Sequence, residues 1–221
     1  MDFSPLYLSL KVAVLSTLVG LLLALALAWA LSFLSFRGKE LLDAAISLPL
    51  VLPPTVLGYY LLVLVGRETW LGKVWETIFG SPLVFTWHAA VVAALVHTVP
   101  LLVKYIRAAI ESLDAQYIKA ARSLGIAEWR IFVRVVLPLA RRSILAAAVL
   151  AFARSLGDFG VTIMIAGNIP GQTQTLSVAI YDAVESGNAA LARTLVLIVS
   201  GFALLVVWLA NRLNPPHALH S

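Results

Sequence analysis

Apolar positions in this chain come in long runs separated by short polar stretches. The runs cover residues 8–36, 41–65, 83–110, 131–165 and 191–209. Each is long enough to supply the roughly 20 residues that cross a bilayer as a helix. The pattern predicts one all-α membrane domain over residues 1–221, with about five transmembrane helices. The first run carries LLLALALAWAL in its middle and ends at the basic turn Arg37-Gly38-Lys39. Asp2 and the lack of a basic leader make it a retained helix rather than a signal peptide. The second run contains Pro49, Pro53 and Pro54. Proline removes a donor and clashes with the preceding turn, so a broken helix is predicted. A break near Thr55 is tolerated where backbone lines a water-filled cavity; a packing kink is the alternative. Residues 66–82 form an amphipathic connection with Trp70, Trp75 and Phe79 suited to the membrane interface. The third run carries His88, His97 and Pro100, each histidine serving either function or a contact between helices. The fourth is expected to bend at Pro138. Asn168-Ile169-Pro170-Gly171 marks a turn, Thr175–Val184 a short helix across the outer face, and Asn214-Pro215-Pro216 the end of the last span.

Residues 112–130 depart from this pattern, being polar, basic and helix-forming. Asp114 is placed as an N-cap. Ala115, Ala120 and Ala121 supply helix propensity without bulk. Tyr117, Ala120, Ala121 and Leu124 recur on one face, with Gln116, Lys119 and Arg122 elsewhere, and Gly125 is the natural left-handed C-cap. A second short helix, Ala127 to Val133, re-enters the membrane. A small-residue helix face fits a groove on another protein; lying on anionic lipid heads is the competing reading.

Composition narrows the class. The chain is 61% hydrophobic and 12% charged, against about 45–50% and about 25% in soluble domains, which excludes a soluble core. Cysteine is absent, so no disulfide framework or thiolate metal site is available. His88, His97, His217 and His220 lack metal-ligand spacing, and neither metal nor cofactor is expected. The net charge of +5 reads as membrane orientation, not nucleic-acid binding. Eight basic residues lie from Lys104 to Arg142 and none from Ser155 to Ala192. The positive-inside rule therefore places 112–130 in the cytoplasm, 168–190 and the N-terminus outside, and the C-terminus in the cytoplasm. Gly38-Lys39-Glu40 and Gly72-Lys73-Val74 do not form a Walker A loop, so the chain is not an enzyme with its own nucleotide site. Arg154 and Asp158 sit four apart and can pair on a helix face, in a structural or gating role or as substrate contacts. Thr55, Ser155 and Thr162 add hydroxyls within the apolar runs.

The polar segment resembles the EAA loop of ABC-importer permeases. Lys119-Ala120-Ala121, Gly125, Val135 and Leu137-Pro138 stand in its register, with Lys119 where glutamate is usual. Residues 48–60, 151–160 and 168–171 extend the resemblance over nearly the whole chain to molybdate permease subunits, with Asp158 where glutamate is common. The resemblance implies a type I importer fold in a prokaryotic cell membrane. It implies a homodimer worked by two copies of a cytoplasmic ATPase and fed by an extracytoplasmic oxyanion-binding protein. Molybdate or tungstate would cross by alternating access. Asp114, Tyr117, Lys119, Ala120, Ala121, Leu124, Gly125 and Pro138 would couple to the ATPase. Pro53, Pro54, Thr55, Arg154, Ser155, Asp158 and Thr162 would form the path or gate. Sulfate permeases share parts of these motifs and stand as the alternative. An ion-coupled secondary transporter would want midplane carboxylates or an inverted repeat.

Overall fold

The computed structural model describes residues 3–213, so Asp2, the Asn214–Pro216 stop, His217 and His220 lie outside the described residues. Four helices are long and apolar enough to span a membrane, or five if one bent pair counts as a span. No strand occurs among the described residues. Helix α1 (Ser4–Phe33) packs against α5 (Trp87–Glu111) and α8 (Leu137–Leu156). Its inward stripe is small: Ser9, Ala13, Ser16, Gly20, Ala24 and Ala28. Lipid tails are as apolar as leucine, so helices associate in membranes by close packing of such residues. At Gly20 a Cβ would come 3.0 Å from the Thr98 methyl of α5, which shows how closely the two backbones approach. Alanines 89, 90, 93 and 94 give α5 a matching stripe. Outward positions such as Leu197 and Leu204 on α11 (Ala189–Leu213) are large, apolar and exposed, as a helix facing hydrocarbon requires.

The second apolar run is broken. Helix α2 (Lys39–Ser47) continues as a 3₁₀ turn through Leu50, and α3 (Pro54–Val65) leaves it at 114°. Proline accounts for the position, since Pro53 cannot donate and Pro54 opens α3 where no donor is needed. Helix α4 (Trp70–Phe79) follows, capped by the Thr69 hydroxyl on the Gly72 amide at 3.0 Å.

The fourth run differs from the bend expected at Pro138. Helix α7 (Glu128–Ile131) passes through a π-helical turn (Phe132–Val136) into α8, and the whole reads as one 29-residue span ending at Leu156. The wider turn removes the proline conflict: the Leu137 amide reaches back five residues to Phe132, and Pro138 sits in the first turn of α8. The actual interruption is at 157–159, before α9 (Gly160–Ala166). The two interrupted segments pack on each other. A Cβ on Gly160 would lie 2.6 Å from the Pro54 Cβ, and one on Gly58 would lie 2.6 Å from the Met164 Cβ. Glycine is what lets α3 and α9 touch. Beyond α9, α10 (Leu176–Glu185) lies against α11 and is tied to α1 by the Leu176 amide donating to Ser9 Oγ at 2.7 Å.

Candidate functional site

Two groups of residues stand out, one in the polar loop and one inside the helix bundle. In the loop, α6 (Ala115–Ser123) is finished at both ends. Asp114 accepts from the Gln116 amide at 2.9 Å. At the other end Gly125 adopts φ +71°, donates to the Arg122 carbonyl, and lets the Ile126 amide reach the Ala121 carbonyl. This double closure satisfies carbonyls that a helix end otherwise leaves open. Arg122 forks onto Glu128 at 2.8 and 3.1 Å and so fastens α6 to α7. That hydrogen bond raises the pKa of the Arg122 guanidinium above its ordinary value.

The apolar face of α6 differs from its sequence reading in one residue. Tyr117, Ala120 and Leu124 point outward, Leu124 being 78% exposed. Ala121 turns the other way and is 6% exposed, packed into the core that contains Ile131 and Phe132. Lys119 is exposed, and its carbonyl accepts from the Ser123 hydroxyl at 3.0 Å. The loop thus presents a tyrosine and a leucine around a small residue, on a helix anchored from behind by Ala121. Three residues, 112–114, separate α6 from the end of α5 at Glu111, and the chain runs on from α6 through α7 and the π turn into α8. Pro138 is exposed at the head of that span.

Inside the bundle, Asp158 is 5% exposed and sits in the interruption between α8 and α9. Its Oδ2 accepts from the Thr162 hydroxyl at 2.6 Å. Its Oδ1 lies 3.5 Å from His97 Nδ1 on α5 and 3.7 Å from the Arg154 guanidinium. Arg154 and Asp158 therefore pair as their spacing suggested, but across a helix end and not along one face. His97 is the partner that sequence spacing did not indicate, since it belongs to another helix. One turn from Asp158, Ser155 shares a 2.7 Å hydrogen bond with Ser16 of α1. A buried carboxylate is stable only when paired and hydrogen-bonded, and three elements converge to do this. Ser155 and Thr162, expected as hydroxyls along a path, are buried and hydrogen-bonded to Ser16 and Asp158. Thr55, Pro53 and Pro54 are exposed at the start of α3. Among the described residues no cluster of His, Asp or Glu fits a metal ion.

On the opposite end, the Asn168–Gly171 turn is locked to α10. Asn168 donates to Asp182 at 3.0 Å and accepts from Gln174 at 2.9 Å. Gly171 at φ +75° supplies the reversal.

Comparison with known proteins places this architecture. The sequence profile of the family described as "Binding-protein-dependent transport system inner membrane component" matches residues 16–216. The molybdenum transport system permease protein ModB of Escherichia coli (strain K12) is 43% identical over 215 residues, covering 95% of this chain and 94% of the relative. Its namesake in Haemophilus influenzae is 43% identical over 219 residues, covering 97% and 96%. A sulfate transport system permease protein CysT of E. coli is more distant, at 33% identity over 92% of this chain and 75% of its own. In three dimensions the chain resembles the inward-facing MetNI methionine ABC transporter, with TM-score 0.74, 18% identity, and 94% and 92% of the two chains covered. It also resembles a bacterial alginate ABC transporter in complex with its periplasmic protein, with TM-score 0.74, 16% identity, and 96% and 78% covered.

Proposed function

The chain belongs to the family of binding-protein-dependent transport system inner membrane components, and from that premise we propose how its parts work. It is a membrane-embedded permease subunit of an ABC importer, and its substrate is molybdate. It is not the catalytic subunit: ATP is hydrolysed by a separate ATPase. The observation that carries the substrate is the 43% identity, over almost all of both chains, to permeases named for molybdenum transport. The sulfate permease stands ten percentage points lower.

The exposed Tyr117, Ala120 and Leu124 face of α6 is the surface that enters the ATPase groove, with Lys119 beside it. Asp114 and Gly125 close the helix, and Ala121 with the Arg122–Glu128 fork makes it one body with α7. Displacement of α6 is then carried into α5 and into α8 below Pro138. Those two helices hold His97, Arg154 and Ser155, and Asp158 follows two residues after the end of α8 at Leu156. Closing of the ATPase pair thus shifts the bundle between inward- and outward-facing packings, as a change of population. The Asp158 cluster is the clasp that keeps α9 registered on α5 in one of them.

The path runs along Pro53, Pro54 and Thr55. Irregular backbone cannot face lipid tails, because its polar groups would have no partners; at this break it faces water or a second copy of the chain. A homodimer with the two α3 faces opposed supplies both, and its two-fold symmetry calls for two ATPase subunits. The basic loop lies in the cytoplasm, with the C-terminus, while residues 168–190 and the N-terminus face outward, where a substrate-binding protein delivers the anion. The path offers hydroxyl and backbone groups rather than buried cations, so the anion passes without being trapped. Tungstate, of nearly the same size and charge, follows the same route.

The test is uptake into proteoliposomes holding the permease, its ATPase and its binding protein. Molybdate should accumulate with ATP and not with a non-hydrolysable analogue. Sulfate accumulation in preference to molybdate would overturn the substrate.

A further inference from the structure

At the end of the bundle opposite α6, a cavity of about 430 Å³ opens between the start of α1, the start of α5 and the 171–173 turn. Lys11, Phe85, Thr86, Trp87, His88 and Gln172 are among its walls, and among the described residues no Asp or Glu is. Lys11 is the first Lys or Arg of the chain, the next being Arg37. Its ammonium stands 3.4 Å over the Trp87 ring, and it has no ion-pair or hydrogen-bond partner among the described residues. A lysine that merely snorkels extends to water; this one is held against a ring in the cavity wall. His88 adds a buried Nδ1 without a hydrogen-bond partner. Helix α5 begins in the same wall; its Ala89 amide donates to the Thr86 carbonyl, while the Trp87 and His88 amides stand in the first turn, where intrahelical partners are lacking. Its N-cap Thr86 gives its hydroxyl to the Leu83 carbonyl instead.

The wall is also strained in place. Phe85 has φ +58°, the one positive value among the described non-glycine residues. Its amide donates to the Ile165 carbonyl at 2.8 Å. Its ring packs so near Gly167 that a Cβ there would lie 3.1 Å away. Strain of this kind persists where the surroundings over-determine it and concentrates at functional sites. It joins the cavity to α9, the segment that Asp158 and Thr162 anchor.

We propose that this cavity is an anion site for a tetrahedral oxyanion, held by the Lys11 ammonium and oriented by the start of α5. It rests on the permease reading and adds a station on the side where the anion is delivered. Cargo molybdate and a phospholipid head group share this chemistry, and lipid composition separates them. The experiment labels the permease–ATPase complex with 5-fluorotryptophan, assigns Trp87 by Trp87→Phe, and follows its ¹⁹F resonance. In phosphatidylcholine nanodiscs, molybdate should shift the resonance saturably. Lys11→Gln should weaken binding about tenfold or more, the loss of one charge-assisted hydrogen bond, while Lys11→Arg should retain it. A shift seen only when phosphatidylglycerol is added, and lost in Lys11→Gln, assigns the same site to a lipid phosphate. No shift under either condition, or equal shifts in Lys11→Gln, overturns the proposal. Uptake by the wild-type complex is scored separately: absent molybdate uptake with an intact ¹⁹F response would sink the substrate reading and leave the anion site standing.

Discussion

Asp158 shows what one buried carboxylate asks of its neighbours. Thr162 gives it a 2.6 Å hydrogen bond, while His97 and Arg154 stand farther off at 3.5 and 3.7 Å. The short bond is the interaction that geometry favours. Thr162→Val keeps the shape, removes the donor and should cost about 1–3 kcal/mol, the penalty for a buried acceptor left short of a partner. Thermal unfolding of the purified protein in detergent measures it as a lower midpoint. Arg154→Gln should cost about 1 kcal/mol or less, because the Arg154 side chain is 41% exposed and its charge is screened. A larger loss for Arg154→Gln than for Thr162→Val would show that the ion pair, not the hydroxyl, holds the carboxylate. The sequence paired Arg154 with Asp158 by spacing and marked Thr162 and His97 as separate polar residues in apolar surroundings. It did not join His97 to the others, because 61 residues and a change of helix separate it from Asp158.

At the scale of elements, two short helices depend on glycine for different reasons. Gly125 has open space around it, so only its left-handed backbone matters. Gly125→Ala should destabilise the loop by about 1–2 kcal/mol and lower ATPase co-purification several-fold, with Gly125→Asn intermediate. Gly160 is the reverse case, a position where room is missing. Gly160→Val forces atoms into Pro54 and should cost about 1–3 kcal/mol through overpacking, lowering both the unfolding midpoint and transport. Gly201→Ala, on α11 with nothing within 4 Å of the added atom, serves as the silent control. The caps of α6 could be read from sequence because Asp114 and Gly125 act on backbone a few residues away. The seat of α9 on α3 could not, although the prolines and glycines that permit it were visible.

For the whole molecule, the absence of native cysteine makes single-cysteine labelling clean. Thr55→Cys should react with a charged methanethiosulfonate added to membranes and be protected when molybdate is supplied. Leu204→Cys, on a lipid-facing stretch of α11, should not react. Equal reactivity at both positions would remove the path from the α3 break. Deleting residues 120–125 should abolish co-purification of the ATPase; full recovery of the complex would show that the contact lies elsewhere.

What the sequence determined by itself follows from local physics. Run length relative to bilayer thickness, proline chemistry, cap residues and spacing established a five-segment helical membrane protein with a broken second segment and a helical polar loop. The tertiary structure alone decided which way Ala121 turns, that the fourth segment widens into a π turn and breaks at 157–159, and that Ser16 meets Ser155 while His97 meets Asp158. Those outcomes depend on how helices rotate and cross when small residues let them approach, and on which buried polar atoms then find one another. Neither quantity is written in the periodicity of any single helix.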